Sequence, residues 1–292
     1  MIGAAWVLLV GALVALLASL AVSALLLVIG GARAVRLALA GDGVDGASTA
    51  DARDPLAPVH PGVLIALGLV LASLVLRTVA VGHAPWSNLH EFSASFAGVV
   101  LASYVVLERT LPLRRLVPVV AAIAAGLLAF ALSLDNRADP LVPALQQPFL
   151  LTVHVGSAVI AYSVSAIAFA SAIGELVQRR AGDAIRLLPS AAACRDAAHR
   201  CILLAFPILT LTIVLGAVWA NLAWRSPWSN DPKELAAAAT WLVYGAYLHV
   251  AGRRDRLALL APWLLVLGFA GVLFTYVGAS LWFVGEHSYA AP

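Results

Sequence analysis

The chain has 292 residues, of which 62% are hydrophobic and only 11% charged, with a mean hydropathy of +0.96; soluble domains carry roughly 25% charged residues. Most of this chain therefore belongs in lipid, and its formal net charge of +3 is explained below by membrane topology, with no nucleic-acid partner. Its two cysteines, Cys194 and Cys201, form neither C-x-x-C nor C-x-x-C-H, which excludes a dithiol oxidoreductase and a c-type cytochrome.

A hydrocarbon core about 30 Å thick takes about 20 apolar residues per helix. At that depth the backbone must be satisfied within a helix or a closed barrel. The apolar runs show no alternation, which rules out a barrel. They predict an all-α, polytopic bundle of about eight spans at 4–30, 61–81, 93–107, 116–134, 150–174, 201–221, 236–251 and 258–281. The third and seventh are short for a crossing.

The first span lacks the basic n-region of a signal peptide and is too long for an h-region, so it reads as a membrane span. Segment 31–60, with GDGVDGASTADARDP, reads as a flexible connector that closes an N-terminal unit (1–60) ahead of the membrane domain (61–292). The segments after spans 1, 3, 5 and 7 hold 14 of the 18 Lys and Arg residues. That asymmetry predicts cytoplasmic placement for those segments and an outside location for both termini. Segment 175–200 is the most basic of them, and a short amphipathic helix at the membrane surface is the ordinary outcome for such a loop.

The opposite segments are GHAPWSNLHEF (82–92), DNRADPLVPALQQP (135–148), LAWRSPWSNDPKE (222–234) and VGEHSYAAP (284–292). Pro-Trp-Ser-Asn occurs twice, at 85–88 and 227–230. One reading of the repeat is a helix start, with an interfacial Trp, Ser or Asn as N-cap and Glu91 or Glu234 in the first turn. Asp231-Pro232-Lys233-Glu234 reads the same way, with Asp at the cap and Pro at the first position. The other reading is a ligand shelf. Trp219, Trp224, Trp228 and Trp241, half of the eight tryptophans, fall within one short stretch, and flat indoles supply rigid area for a flat apolar ligand.

The histidines favour the shelf. Topology sends His154 and His287 to the side of the Trp loop, where two imidazoles would flank a ligand, and neutral imidazole is the usual protein ligand of haem iron. Hydrogen bonding into the bundle is the alternative for each. His249, near the inner end of span 7, reads equally as a site or as an interhelical hydrogen-bonding group. His83 and His90 lie on a loop within reach of the shelf, whereas His60 and His199 fall at the cytoplasmic edge. Arg225, Lys233 and Arg77 are the available counter-ions for a ligand bearing carboxylates, unless Arg77 snorkels to the headgroups.

GAVWANLAWRSPWSNDPKE, TWLVYGAYLH and the terminal GEHSY resemble the tryptophan-rich WWD segment (about 216–235 here) and flanking histidines of the CcsA (ResC) family of System II cytochrome c biogenesis. APWSNLHEF resembles another outer loop of that family, and the likeness covers roughly residues 60–290. Two positions depart from the pattern: Asn230 stands where Trp is usual, and Arg225-Ser226-Pro227 replaces a Gly-aromatic stretch. The resemblance implies a plasma-membrane protein that binds haem b in transit on Trp219, Trp224, Trp228, Asp231, Arg225 and Lys233. It implies His154 and His287 as axial ligands of an outer haem, and His249 as a ligand of an inner one. It also implies partners: a CcsB/ResB membrane subunit, apocytochrome c with its C-x-x-C-H thiols, thioredoxin-like thiol reductants and membrane lipid. Haem lyase activity would belong to the complex, and no residue reads as a dedicated acid, base or nucleophile. Haem delivery alone, as in CcmC relatives, transport of another substrate and a structural subunit of a respiratory complex are the competing readings.

Overall fold

The computed structural model describes residues 1–39, 56–137, 148–253 and 256–286. Eight principal helices follow in chain order: α1 (Ile2–Leu39), α2 (His60–Val81), α3 (Leu89–Leu107), α4 (Val117–Ser133), α5 (Pro148–Ala181), α6 (Ala191–Trp224), α7 (Pro232–Ala251) and α8 (Ala261–Leu273). The last passes through a π-helical turn, Phe274–Gly278, into a single turn, α9 (Ala279–Leu281). No strand occurs among the described residues. Residues 40–55 of the predicted connector and His287 lie outside them.

Seven helical segments are long and apolar enough to cross a membrane. The eighth is α7, whose 20 residues reach about 30 Å at 1.5 Å per residue. Hydropathy starts a span at the first apolar run, whereas caps start the helix itself. Asn88 caps α3 so that polar His90 and Glu91 are already helical, and Asp231 starts α7 at Pro232. Both predicted short spans are thereby lengthened at their N-terminal ends. Likewise α1 continues to Leu39, through part of the predicted connector, because GARAVRLAL is rich in helix-favouring Ala, Leu and Arg.

The predicted surface helix within 175–200 is not what the structure shows. Its basic residues extend α5 to Ala181 and begin α6 at Ala191, and a compact turn joins them. Buried Gln178 holds that turn by donating from Nε2 to the carbonyls of Ile185 and Pro189, both at 2.9 Å. Glu175, also buried, accepts Arg195 Nε at 2.8 Å and faces Arg179 Nε at 3.4 Å. Local wiring thus absorbs polar groups that composition alone assigned to the membrane surface.

Helices α3 and α5 form the centre. α5 packs on α3, α4, α6 and α8, while α1 packs on α2 and α4, and α7 on α6 and α8. Small residues permit the close approaches, as is usual where lipid supplies no hydrophobic drive between helices. Ala161, Ala166, Ala168, Ala170 and Ala172 of α5 are all buried. Hydroxyls are absorbed within their own helices, as where Ser19 and Ser23 donate to the carbonyls four residues back at 2.8 Å.

On α3, Gly98 faces α2 so closely that a Cβ there would stand 2.8 Å from Val70 Cγ1. Gly98→Val is expected to destabilise the bundle by about 1–3 kcal/mol through overpacking, read as a lower midpoint of thermal unfolding in detergent. An unchanged midpoint would show that the α2–α3 seam is looser than described.

Candidate functional site

Both Pro-Trp-Ser-Asn copies fold into helix starts. In the first, Asn88 Oδ1 accepts the Glu91 amide at 2.9 Å, while Glu91 Oε2 accepts the Ser87 amide at 2.9 Å and the Ser87 hydroxyl at 2.7 Å. In the second, Asp231 Oδ1 accepts the Lys233 amide at 2.8 Å, while Glu234 Oε2 accepts the amides of Ser229 and Asp231 at 2.8 and 3.1 Å. Each glutamate therefore folds back onto the serine of its own repeat, reciprocally capping the helix. Trp86 and Trp228, the two repeat tryptophans, line one cavity.

The cavity lies among α3, α5, α6, α7 and the π-helical turn, is open at its mouth and has a volume of about 180 Å³. Its lining is mainly apolar, as is usual for cofactor sites. Six aromatic side chains, each from a different segment, face it: Trp86, Phe92, Tyr162, Trp219, Trp228 and Tyr276. Tyr276 belongs to the π-helical turn, a distortion that often marks functional positions. Its ring stacks on Phe92 at 5.1 Å, and its hydroxyl bonds Ser93 Oγ.

His154, on α5, enters the wall beside α6. Its Nδ1 lies 3.0 Å from the Thr212 carbonyl; because a carbonyl only accepts, Nδ1 carries the hydrogen and the ring's lone pair is on Nε2. The imidazole runs parallel to Trp219, 11° between planes and 6.1 Å between centroids. Trp224 meets Trp219 edge-on at 4.7 Å. Gly216 makes this approach possible, since a Cβ there would stand 2.8 Å from His154 Cε1. Ser157 Oγ donates to the His154 carbonyl at 2.7 Å, bracing the same turn of α5.

Of the residues singled out from the sequence, His154, Trp219, Trp228 and Lys233 line the cavity. Trp224 backs the Trp219 ring, and Asp231 is the buried cap of α7. Arg225 is exposed; at φ 58° it terminates α6 and does not line the cavity. His249 is exposed near the end of α7, with Nδ1 against the Gly245 carbonyl at 2.8 Å, away from the cavity. Asn230 holds φ 59° and accepts Trp228 Nε1 at 2.9 Å. Asn tolerates that left-handed conformation far better than a bulky aromatic.

Three expectations change. Arg77 neither snorkels nor serves the cavity: it is 4% exposed and bonded to Glu91 Oε1 at 2.8 Å. His90 is buried against the Ala131 carbonyl at 2.8 Å, and His83 bonds the neighbouring Ala84 carbonyl, so neither lines the cavity. Trp86, Phe92, Tyr162 and Tyr276 stand outside the sequence's candidate set. Only Trp86 carried a signal, as the counterpart of Trp228 in the repeat; the rest look like ordinary core aromatics.

The family described as Cytochrome C assembly protein matches residues 86–287, from the Trp86 wall to His287. The cytochrome c biogenesis protein CcsA of Synechococcus sp. (strain CC9902) is 35% identical, over 79% of this chain and 87% of that protein. CcsA of Microcystis aeruginosa is 33% identical over 82% of this chain and 91% of that protein. Among solved structures, the cytochrome c haem lyase CcmF superposes with a TM-score of 0.58 at 22% identity, covering 92% of this chain and 46% of that protein. That similarity speaks for a shared fold, and it spans under half of the longer protein. Family match and sequence identity together place this chain in the cytochrome c assembly family, among its CcsA-type members.

Proposed function

We propose that the aromatic cavity receives haem b as cargo on the outer face of the plasma membrane and presents it for attachment to the C-x-x-C-H motif of apocytochrome c. Family membership sets the process, cytochrome c maturation at a membrane. The observation that carries the haem reading is one imidazole held in a single tautomer within a wall of flat rings, His154 beside Trp219 in a cavity that Trp86 also lines.

The residues suit a flat, apolar, metal-centred guest. Trp86, Trp219 and Trp228 offer ring faces and edges, and burying such area is the main source of affinity for a porphyrin. The Thr212 carbonyl acts on His154 as an outer hydrogen-bond acceptor does on a metal-binding histidine, fixing the orientation of the ring. Lys233 supplies a positive charge for a propionate. His287 would be the opposite ligand. Gly285, two residues before it, lies against Asp231 at the head of α7. Bound haem would contribute its iron and vinyl groups; this chain's part is to orient it, shield it from lipid and leave one edge open.

The excess of Lys and Arg on the opposite connections supports an outward cavity, with both termini on that side. His249 supports an inner haem completed by a CcsB/ResB-type partner, because an exposed imidazole on a helix in lipid is costly unless something covers it. Asp231 contributes by capping α7, Trp224 by fixing Trp219, and Arg225 by ending α6 where the loop turns.

Protein purified with its partner from haem-replete cells is expected to show a bis-histidine haem spectrum, lost in His154→Ala plus His287→Ala. A haem-free wild type would sink the reading. Gly216→Ala should lower haem retention roughly tenfold, the scale set by residues that orient a metal ligand, because its methyl needs the space of His154 Cε1. Retention equal to wild type would mean that the imidazole does not depend on this seat.

A further inference from the structure

Behind the Trp86 wall lies a pair of charges that does not line the cavity. Arg77 of α2 and Glu91 of α3 are 4% and 1% exposed. Removing each charge from water costs several kcal/mol, and an ionisable group within a membrane bundle marks function by default. A tie between two helices needs no such pair; apolar contact, as at Gly98 and Val70, does that already.

The bonds run to the loops instead. Glu91 gives Oε1 to Arg77 Nε at 2.8 Å and Oε2 to both the amide and the hydroxyl of Ser87. Ser87 lines the cavity next to Trp86. The remaining nitrogens of Arg77 donate to the Asn136 and Arg137 carbonyls at 2.6 and 2.8 Å, so the segment after α4 is fastened to the same node. The Trp86 ring reaches across to α5, where a Cβ on Gly156 would stand 3.4 Å from Trp86 Cη2. The path of the loop fixes that reach: Ser95 Oγ donates to the Pro85 carbonyl at 3.2 Å on one side of Trp86, and Glu91 holds Ser87 on the other.

We propose that Arg77 and Glu91 are positioning residues for haem: through Ser87 they hold the Trp86 ring in place on the cavity wall. The inference rests on the haem reading of the cavity. Arg77 suits the role better than Lys would, because its fork serves a carboxylate and two carbonyls together.

The test is a double-mutant cycle in the full chain with its partner, reading haem retention in Glu91→Gln, Trp86→Ala and the double variant. Glu91→Gln keeps the shape and removes the charge. Each single change is expected to reduce retention roughly tenfold, and the double change no further than Trp86→Ala alone, since one acts through the other. A second readout uses haem-free protein: hydrogen exchange of the peptide spanning 83–92 should quicken at the Ser87 amide in Glu91→Gln. Additive losses, or unchanged exchange at Ser87, would reduce the pair to a structural tie and overturn the proposal. Should Glu91→Gln fail to accumulate, Ser87→Ala removes one of the two bonds without touching a charge and carries the same cycle. A haem-free wild type overturns the haem reading instead, and the exchange readout then still decides whether Glu91 governs the loop.

Discussion

In hydrocarbon a polar side chain has only protein to bond with, and this constraint organises the bundle from end to end. Isolated hydroxyls on α1, α5 and α7 donate to carbonyls of their own helices, as Ser19, Ser171 and Thr240 do. The buried carboxylates sit where basic side chains or backbone amides satisfy them. Glu175 takes Arg195 and Arg179 beside the turn between α5 and α6, Glu91 takes Arg77 behind the cavity, and Asp231 and Glu234 close the head of α7. Where such bonding is finished, the chain is free to spend aromatic area on a guest. His154 shows both sides of the rule: one ring nitrogen is committed to Thr212, which leaves the other in the basic tautomer.

The cavity is built from two versions of one sequence device. Each Pro-Trp-Ser-Asn stretch ends in a helix whose first-turn glutamate returns to the serine amide, and each puts its Trp on the cavity wall. The versions differ in depth. Glu91 is buried and anchored by a guanidinium, whereas the bonds of Glu234 to Ser229 lie at an exposed edge. The Trp86 side is therefore backed by a buried node, whereas on the Trp228 side that ring is 42% exposed.

Much of this was legible in the sequence. The long apolar runs gave the helices, because lipid permits little else; their ends differ where caps set the boundary, as at Asn88 and Asp231, and where polar or basic residues continue a helix, as in α1, α5 and α6. The Trp-rich loop and His154 stood out because indoles and an imidazole at one membrane face have few ordinary uses. What stayed hidden depends on distant partners. The buried role of Arg77 needs Glu91 and two carbonyls some sixty residues on, so a lone Arg near a helix end read as a headgroup contact. Tyr162 and Tyr276 look like core residues until the fold brings them to one space. Arg225 looked like a counter-ion because charge is visible in sequence, whereas its backbone duty at φ 58° is not.

The central claim is that haem sits in this cavity with its iron on His154. A density map of the chain bound to its membrane partner, prepared from haem-replete cells, tests it most directly. Planar density in the cavity that Trp86 and Trp219 line, with its centre joined to the His154 ring, is the expected result. Lipid or detergent filling that space, with haem elsewhere in the complex, would contradict it.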